Sequence, residues 1–220
     1  MYWLLNSSVG KKVIMSVSGI FLILFLLFHM SMNLTLLFSA EAYDAICALL
    51  GANWYAIVGT LILVAGVAVH FLYATVLTLQ NRKARGSSRY LAASKTDAEW
   101  SAKNMYVLGA IIAFGLLLHL WNFWYKMQFA ELTGVQTGAH HPHEGAAYVS
   151  ELFSNPFYSV IYLFWLGALW LHLTHGVWSA FQTIGLNNRT WYPRWRVISY
   201  IVSTVIVLGF AAVPVKFLLF

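Results

Sequence analysis

The sequence contains very few charged residues. Only 9% of its 220 residues are Asp, Glu, Lys or Arg, whereas 60% are hydrophobic. A soluble globular domain is about 25% charged and about 45–50% apolar, so this chain lacks the polar surface that a water-soluble particle needs. The composition therefore predicts an integral membrane protein that lies in a lipid bilayer.

Cysteines and nucleotide-binding motifs are also scarce. The single cysteine, Cys47, excludes an internal disulfide, a Cys-rich iron–sulfur site and covalent C-x-x-C-H haem attachment. The sequence has no G-x-G-x-x-G motif, so it offers no recognisable site for a flavin or nicotinamide dinucleotide. A net charge of +6 would suit nucleic acid, but the basic residues are sorted between loops rather than gathered in a patch, so we expect no nucleic-acid partner.

Five apolar stretches are long enough to cross a membrane as helices, which requires about 20 residues for about 30 Å of hydrocarbon. We call them spans 1 to 5, and they cover approximately residues 13–38, 54–79, 105–125, 157–184 and 197–213. The first is longer than the core of a signal peptide, and no small-residue cleavage site follows it. We expect an all-α fold with one transmembrane domain over residues 1–220, in which the first four spans form a cofactor-binding bundle.

The basic residues predict the orientation of the chain. Eleven of the 13 Lys and Arg residues precede span 1 or lie between spans 2 and 3 or between spans 4 and 5. Only Lys126 and Lys216 fall on the other side. Because basic loops stay in the cytoplasm, we expect a cytoplasmic N-terminus and an external C-terminus.

Histidines occupy the interior of the first four spans, where no Asp, Glu or Arg is found. His29, His70, His119 and His172 each lie in a different span, and His175 lies one turn beyond His172. A single histidine at such a depth could simply make an interhelical hydrogen bond. Ionisable groups in the bilayer are costly, so four of them on four helices favour a functional role.

The depths of these histidines arrange them as two pairs. His29 and His119 lie 17 and 16 residues from the basic ends of their spans, which corresponds to about 25 Å. His70 and His172 lie closer to the basic side, at 11 and 14 residues. Two neutral imidazoles at one depth on facing helices are the ligand set of a bis-histidine haem. We therefore predict two b haems, held by an outer pair (His29, His119) and an inner pair (His70, His172).

Glycines on the same helix faces are expected to give a haem room. Gly66, Gly115 and Gly176 each lie four residues from one of these histidines. On span 4, the number of residues to the cytoplasmic interface slightly favours His175 over His172. His175 lies 11 residues from that interface, as His70 does, whereas His172 lies 14 residues from it.

Several short segments resemble the single-chain, five-helix, di-haem cytochrome b subunit of succinate dehydrogenase and fumarate reductase, and the resemblance covers essentially the whole chain. They are Ser16-Val17-Ser18-Gly19 and Phe28-His29-Met30 in span 1, Val69-His70-Phe71 in span 2, His119-Leu120-Trp121 in span 3, and His172-Leu173-Thr174-His175-Gly176-Val177-Trp178 in span 4. In that family the ligand of the fourth span precedes a glycine by four positions, which selects His172 and leaves His175 as a polar neighbour of the inner haem.

The resemblance also implies partners and a location. A flavoprotein subunit would interconvert succinate and fumarate, and an iron–sulfur subunit would exchange electrons with this chain on the cytoplasmic face of a bacterial inner membrane. The basic 82–103 connection and the N-terminus would form the docking surface. The chain would pass electrons to or from quinone, with menaquinone as the expected substrate, and would contain no dicarboxylate site. A higher oligomer of the complex is compatible with this arrangement.

Two further sets of residues are candidates for contacts to these groups. Haem propionates need cationic or hydroxyl donors near the cytoplasmic boundary, and Lys12, Ser16 and Lys103 lie there, although the lysines could equally be interfacial anchors. A quinone needs a hydrogen-bond donor in an apolar cleft. Asn33, Asn122 and Lys126 lie near the outer pair, although either asparagine could instead satisfy a helix contact.

The external loop at about 128–156 contains His140-His141-Pro142-His143-Glu144. Two of the three imidazoles, together with the carboxylate, could bind Zn²⁺ or Cu²⁺, and a solvated loop without metal is the simpler interpretation.

Two other functions are compatible with parts of the pattern. One is the di-haem cytochrome b anchor of a hydrogenase or formate dehydrogenase. The other is a transporter with a histidine-lined proton path, which the lack of buried carboxylates argues against. The prolines argue against it as well, because all four (Pro142, Pro156, Pro193, Pro214) are expected in loops or at span ends, which leaves no broken helix.

Overall fold

The computed structural model of the chain describes residues 7–85 and 100–219, and all regular secondary structure in these ranges is helical. Five helical segments are long and apolar enough to cross a membrane: Ser8–Leu37, Trp54–Ala84, Met105–Thr133, Pro156–Thr183 and Trp191–Leu219. The predictions of an all-α fold and of a multi-pass membrane protein are thereby confirmed. The five segments keep the names spans 1 to 5.

Among the described residues, three shorter helices lie between the spans. Ala40–Leu49 and Gly145–Phe153 belong to the connections after spans 1 and 3, and Trp100–Lys103 precedes span 3. Span 1 ends in a 3₁₀ turn, Thr35–Leu37, and the helix of span 2 continues to Arg85.

Polar capping residues determine where two of the spans begin, and both begin before the predicted residue. The side chain of Ser7 accepts a hydrogen bond of 2.9 Å from the Gly10 amide, so span 1 begins five residues before the apolar stretch does. Span 4 begins at Pro156, whose missing N–H suits the first helical position, and Asn155 caps it. Hydrophobicity locates the part of a helix that lies in lipid, whereas caps decide where the helix begins.

Span 3 departs furthest from its predicted boundary. It was expected to end at residue 125, but it continues to Thr133 through a π-helical segment, Leu120–Phe129. The i→i+5 hydrogen bonds of a π-helix widen each turn beyond 3.6 residues, so side chains four apart lie almost above one another. Accordingly, the ring of Tyr125 stacks on Trp121 at 4.9 Å and on Phe129 at 5.2 Å between centroids.

Span 5 is also longer than predicted, covering Trp191–Leu219 instead of 197–213. Pro214 therefore lies inside a helix, where it is buried, and not at the end of a span. Pro193 lies in the first turn, where the absence of an N–H removes no helical hydrogen bond. The expectation that all four prolines lie in loops or at span ends is therefore wrong for Pro214.

Span 4 is the centre of the bundle and packs against spans 1, 3 and 5. Its contact with span 5 is the closest, because small side chains let the backbones approach. Ser199 and Ser203 of span 5 are fully buried there, and the Ser199 hydroxyl donates 2.6 Å to the Thr174 carbonyl oxygen of span 4. Span 5 thus belongs to the same bundle as the first four spans, and span 2 lies at its edge against span 1.

The helices Ala40–Leu49 and Gly145–Phe153 pack on each other and form what we call the outer cap. Asp44 accepts a 2.7 Å hydrogen bond from the Ala146 amide, and the Cys47 side chain packs against Gly145. An apolar cluster continues from the cap into the bundle, with Phe153 of the cap in contact with Tyr162 of span 4. The cap therefore covers the end of the bundle that contains the outer pair.

Candidate functional site

The outer pair is assembled by spans 1 and 3. The imidazole rings of His29 and His119 face each other with 5.8 Å between their centroids and 88° between their planes. These two residues are 90 positions apart in the sequence. The structure therefore brings together the pair that the depth argument predicted.

The inner pair is assembled by spans 2 and 4. The centroids of the His70 and His172 rings are 6.4 Å apart, and their planes are inclined by 66°. His172, and not His175, is the span 4 histidine that faces His70. The ring of His175 instead packs at 4.8 Å from Trp178, which in turn contacts Tyr192 of span 5 at 5.6 Å.

In both pairs the two imidazoles are direct neighbours, with 5.8 and 6.4 Å between their centroids, so each pair offers two imidazole donors at one place. Bis-histidine haem ligation requires this donor set, so these residues fit a haem.

An unsatisfied nitrogen adds to this fit. Among the described residues, Nδ1 of His172 is buried without a hydrogen-bond partner. A buried polar atom without a hydrogen-bond partner lowers the free energy of unfolding by about 1–3 kcal/mol, and packing alone does not offset that loss. A ligand role would explain why an imidazole is retained at this position.

A serine orients the other inner histidine. Nδ1 of His70 and Oγ of Ser18 are 3.2 Å apart, and the Ser18 hydroxyl donates 3.0 Å to the Met15 carbonyl oxygen. With its hydroxyl donating to Met15, Ser18 can accept a hydrogen bond from Nδ1–H of His70. In that tautomer Nε2 carries the lone pair that a metal requires.

The predicted role of the three same-face glycines is not supported. The ring of Phe21 lies over Gly66 and the indole of Trp165 lies over Gly115, so side chains already fill those faces. The reason is that aromatic rings from neighbouring spans pack into the notches that a missing Cβ leaves. The third, Gly176, is approached by the methyl group of Met105 at 3.4 Å from a notional Cβ.

Two other glycines are the ones that approach the inner pair. A Cβ built on Gly19 would lie 3.3 Å from Cε1 of His70, and one on Gly109 would lie 3.7 Å from Cε1 of His172. Both glycines come from helices adjacent to the histidine they contact. Gly19 follows Ser18 directly, so the Ser16–Gly19 segment that carries part of the family resemblance contacts His70 twice.

Aromatic side chains enclose the outer pair. His119 is surrounded by rings of spans 3 and 4 at centroid distances of 5.2 to 6.4 Å, namely Phe123, Tyr162 and Trp165. His29 stacks on Phe25 at 5.3 Å and contacts Phe210 of span 5 at 5.6 Å. These residues could not be identified from the sequence, because aromatic residues are frequent throughout the chain. No local sequence pattern distinguishes the rings that line a site from the others.

The three residues predicted for quinone all lie beyond the outer pair. The amide of Asn33 donates 2.8 Å to the His29 carbonyl oxygen, and its oxygen accepts from the Tyr43 hydroxyl at 3.3 Å. Buried Asn122 donates 3.1 Å to the Tyr162 hydroxyl, whose ring contacts His119. Lys126 lies one turn further out, with Nζ 5.8 Å from the centre of the Tyr148 ring.

The three residues predicted for propionates differ in exposure. Ser16 is buried, whereas Lys12 and Lys103 are exposed at the ends of their helices. The predicted docking surface is only partly described, because residues 1–6 and 86–99, including Arg89 and Lys95, lie outside the described residues.

The histidines of the 140–143 segment contact carboxylates within and beside the outer cap. Nε2 of His143 lies 2.9 Å from Oε1 of Glu131, and Nε2 of His140 lies 3.1 Å from Oε2 of Glu151. Across residues 7–85 and 100–219 no group of three or more His, Cys, Asp or Glu side chains is arranged to hold a metal ion. The structure therefore gives the Zn²⁺ or Cu²⁺ interpretation of this loop no support.

Cys47 is the only thiol, and it lies in the cap. Burial, assisted by the nearby Asp44 carboxylate, raises the pKa of the Cys47 thiol to about 12. A thiol with such a pKa stays protonated at neutral pH and is a poor nucleophile or metal ligand.

In comparisons with known proteins, no protein-family model, no curated protein and no solved structure matches the chain.

Proposed function

We propose that this chain is the di-haem cytochrome b anchor of a succinate:quinone oxidoreductase, which passes electrons between an iron–sulfur subunit and quinone. The observation that carries this proposal is the presence of two facing histidine pairs at different depths, with centroid distances of 5.8 and 6.4 Å. Four spans contribute one histidine each, which a structural hydrogen bond does not require.

The residues have distinct roles in this proposal. A haem b, when bound, supplies a one-electron iron couple. His29 and His119 hold the outer haem, and His70 and His172 hold the inner one. Ser18 fixes the tautomer and rotation of His70 through its 3.2 Å contact to Nδ1. The aromatic rings around His119 exclude water from the outer site.

The partners are those that the family resemblance implies, and the orientation of the chain gives the side on which they would dock. With the N-terminus in the cytoplasm of a bacterium, the inner pair lies on the cytoplasmic side, where an iron–sulfur subunit and a flavoprotein subunit would dock. The support for this orientation is the distribution of basic residues, 11 of 13 on one side. The dicarboxylate chemistry would take place in the flavoprotein subunit.

We place the quinone site near the outer pair and expect menaquinone as the substrate. Support comes from the donors Asn122 and Tyr162, which lie beside His119 under the outer cap. Electrons taken from the cytoplasmic side would then cross most of the bilayer. Each elementary charge that crosses 100 mV gains or loses roughly 2.3 kcal/mol, so the membrane potential would assist succinate oxidation by a low-potential quinone.

Reduced-minus-oxidised spectra of alanine variants test the haem assignment. His119→Ala should remove one of two spectral components, and His70→Ala should remove the other, because each pair serves one haem. His140→Ala, outside the spans, is the matched control and should keep both components. Spectra in which both His119→Ala and His70→Ala retain two six-coordinate haems would contradict the assignment.

The partners and the quinone site need a separate assay. Sealed vesicles with the assembled complex should show succinate–menaquinone activity that falls when an uncoupler collapses the membrane potential. An unchanged rate, or a quinone analogue bound beside His70 and His172, would show that the quinone site is placed wrongly. Co-purification of hydrogenase or formate dehydrogenase subunits would instead identify a different complex.

A further inference from the structure

The indole of Trp165 in span 4 is held in place from three sides. Its Nε1–H donates a hydrogen bond of 3.1 Å to the Ile112 carbonyl oxygen of span 3. A backbone carbonyl oxygen has two lone pairs, so it can accept this bond in addition to its own helical one. The ring of Tyr162 stands against the indole at 5.7 Å between centroids and 89° between planes. On the third side the five-membered ring of the indole lies over Gly115 of span 3.

Gly115 is the residue that makes room for the indole. A Cβ built on Gly115 would overlap Nε1, Cδ1 and Cε2 of Trp165. These atoms belong to a rigid ring, so a side chain at position 115 would displace the whole indole. By contrast, a Cβ built on Gly167 of span 4 would meet no atom within 4 Å. The requirement for glycine at position 115 is therefore a local feature of the contact between spans 3 and 4.

The fixed indole is one of the rings that surround His119. The centroids of the Trp165 and His119 rings are 6.0 Å apart, and their planes are inclined by 34°. In the described part of the chain the His119 imidazole makes ring contacts and no hydrogen bond, whereas the His70 imidazole has the 3.2 Å contact to Ser18. The rotation of the His119 ring about its side-chain bonds therefore depends on the rings around it.

We propose that Trp165 is the positioning residue of the outer pair and that Gly115 admits it. The indole, tied to the Ile112 carbonyl oxygen, determines the direction in which the His119 ring faces His29. Trp165 acts through His119 and is not itself a ligand. The inference rests on the proposed function, because groups that orient an axial histidine tune the haem it holds.

A role in helix packing alone is the competing explanation, and Trp170 separates it from positioning. Trp170 lies five residues further along span 4, and its indole donates a hydrogen bond of 3.0 Å to the Thr204 hydroxyl of span 5. Its ring contacts Tyr200 of span 5 at 6.2 Å. A packing role predicts similar consequences for the loss of either indole. Positioning predicts that only the loss of the Trp165 indole changes the outer haem.

Electron paramagnetic resonance and redox titration of the purified chain with its haems test the proposal. The largest g value of a low-spin bis-histidine haem depends on the relative orientation of its two imidazoles. The signal that His119→Ala removes belongs to the outer haem. Trp165→Phe keeps an aromatic ring but loses the bond to Ile112, so it should shift the outer g value and the outer midpoint potential and leave the inner ones unchanged. Trp170→Phe, the matched control, should leave both haems unchanged.

Glycine variants test the same contact from span 3. Gly115→Ala should shift the outer g value as well, because its methyl group displaces the indole. Combining Gly115→Ala with Trp165→Phe should shift it clearly less than the sum of the two single shifts, since the two residues act through one contact. Gly167→Ala adds a methyl group where there is open space and should cause no shift.

Pyridine haemochrome analysis of each variant, together with its spectrum, decides between the outcomes. Loss of the outer haem alone in Trp165→Phe would support positioning as a shift does. An unchanged outer signal in both Trp165→Phe and Gly115→Ala would overturn the proposal. Equal shifts of the inner and outer signals, or loss of both haems, would also overturn it, because either result indicates a role in the bundle as a whole. A wild-type chain that binds no haem would instead contradict the proposed function itself.

Discussion

Ser18 of span 1 and His70 of span 2 share a 3.2 Å contact between Oγ and Nδ1, and the Ser18 hydroxyl donates a hydrogen bond of 3.0 Å to the Met15 carbonyl oxygen. The contact holds the His70 ring opposite that of His172. The inner pair therefore depends on a residue of a third helix that carries no ligand of that pair.

Removal of this serine should weaken the inner haem site. Ser18→Ala is expected to lower inner-haem affinity about 10- to 100-fold, the usual effect of losing a group that orients a metal-bound histidine. The measurement is a haem titration of the apoprotein, followed by the inner spectral component. Ser31→Ala removes a hydroxyl of the same helix that only donates to the Leu27 carbonyl oxygen, and it should leave the titration unchanged.

The choice between His172 and His175 has a clear spectroscopic test. His172 faces His70, whereas His175 packs against Trp178. His172→Ala should therefore abolish the inner component, and His175→Ala should retain a six-coordinate inner haem with at most a small spectral shift. The opposite result would assign the ligand to His175.

Much of this site could be predicted from the sequence, because depth in a membrane is counted directly along a helix. The rise per residue and the basic boundary of each span suffice to group His29 with His119 and to place His70 at the depth of the two span 4 histidines. The count slightly favoured His175, whereas His172 is the one that faces His70. The two differ by less than one turn, which a depth count does not resolve. The direction in which each ring points depends on helix rotation, which the packing of span 4 against spans 1, 3 and 5 determines.

Features that depend on packing were not predictable in this way. The π-helical segment 120–129 contains neither glycine nor proline, so no residue in it marks the change in helix geometry. The neighbours of the ligand-helix glycines were not foreseen either, since Phe21 lies over Gly66 and Trp165 lies over Gly115. The length of span 5 was underestimated, because polar and proline residues at its ends interrupt the apolar stretch without ending the helix.

The hydrogen bond between Asn122 and Tyr162 should couple the stability contributions of the two residues. Both are buried, and the bond measures 3.1 Å. Asn122→Leu or Tyr162→Phe alone leaves a buried polar group without its partner, which costs about 1–3 kcal/mol. The double variant leaves no unpaired polar group. In thermal unfolding in detergent, its loss of stability should therefore be clearly smaller than the sum of the losses in the two single variants. Strict additivity would mean that the bond contributes nothing.

The thiol in the outer cap should be slow to react. Burial raises the pKa of Cys47 from 9.0 to about 12, so its thiolate fraction near pH 8 is about a thousandfold smaller than that of a free thiol. Maleimide should therefore modify Cys47 at least 100-fold more slowly than the exposed thiol of an Ala45→Cys, Cys47→Ala variant. Equal rates would indicate that the cap is open.

The same pKa determines how the stability of the cap depends on pH. The folded chain keeps the Cys47 proton up to about pH 12, whereas the unfolded chain loses it near 9.0. The unfolded state therefore binds fewer protons above pH 9, and the contribution of this group to stability falls as the pH rises from there. Cys47→Ala should flatten that part of the stability profile, which thermal unfolding at several alkaline pH values would measure.

The haem content of the purified chain tests the central claim most directly. Pyridine haemochrome analysis, calibrated against the protein concentration from amino-acid analysis, should give close to two haems b per chain, both extractable by acidic organic solvent. A chain that is fully assembled with its partners, active with quinone and free of haem would contradict the account.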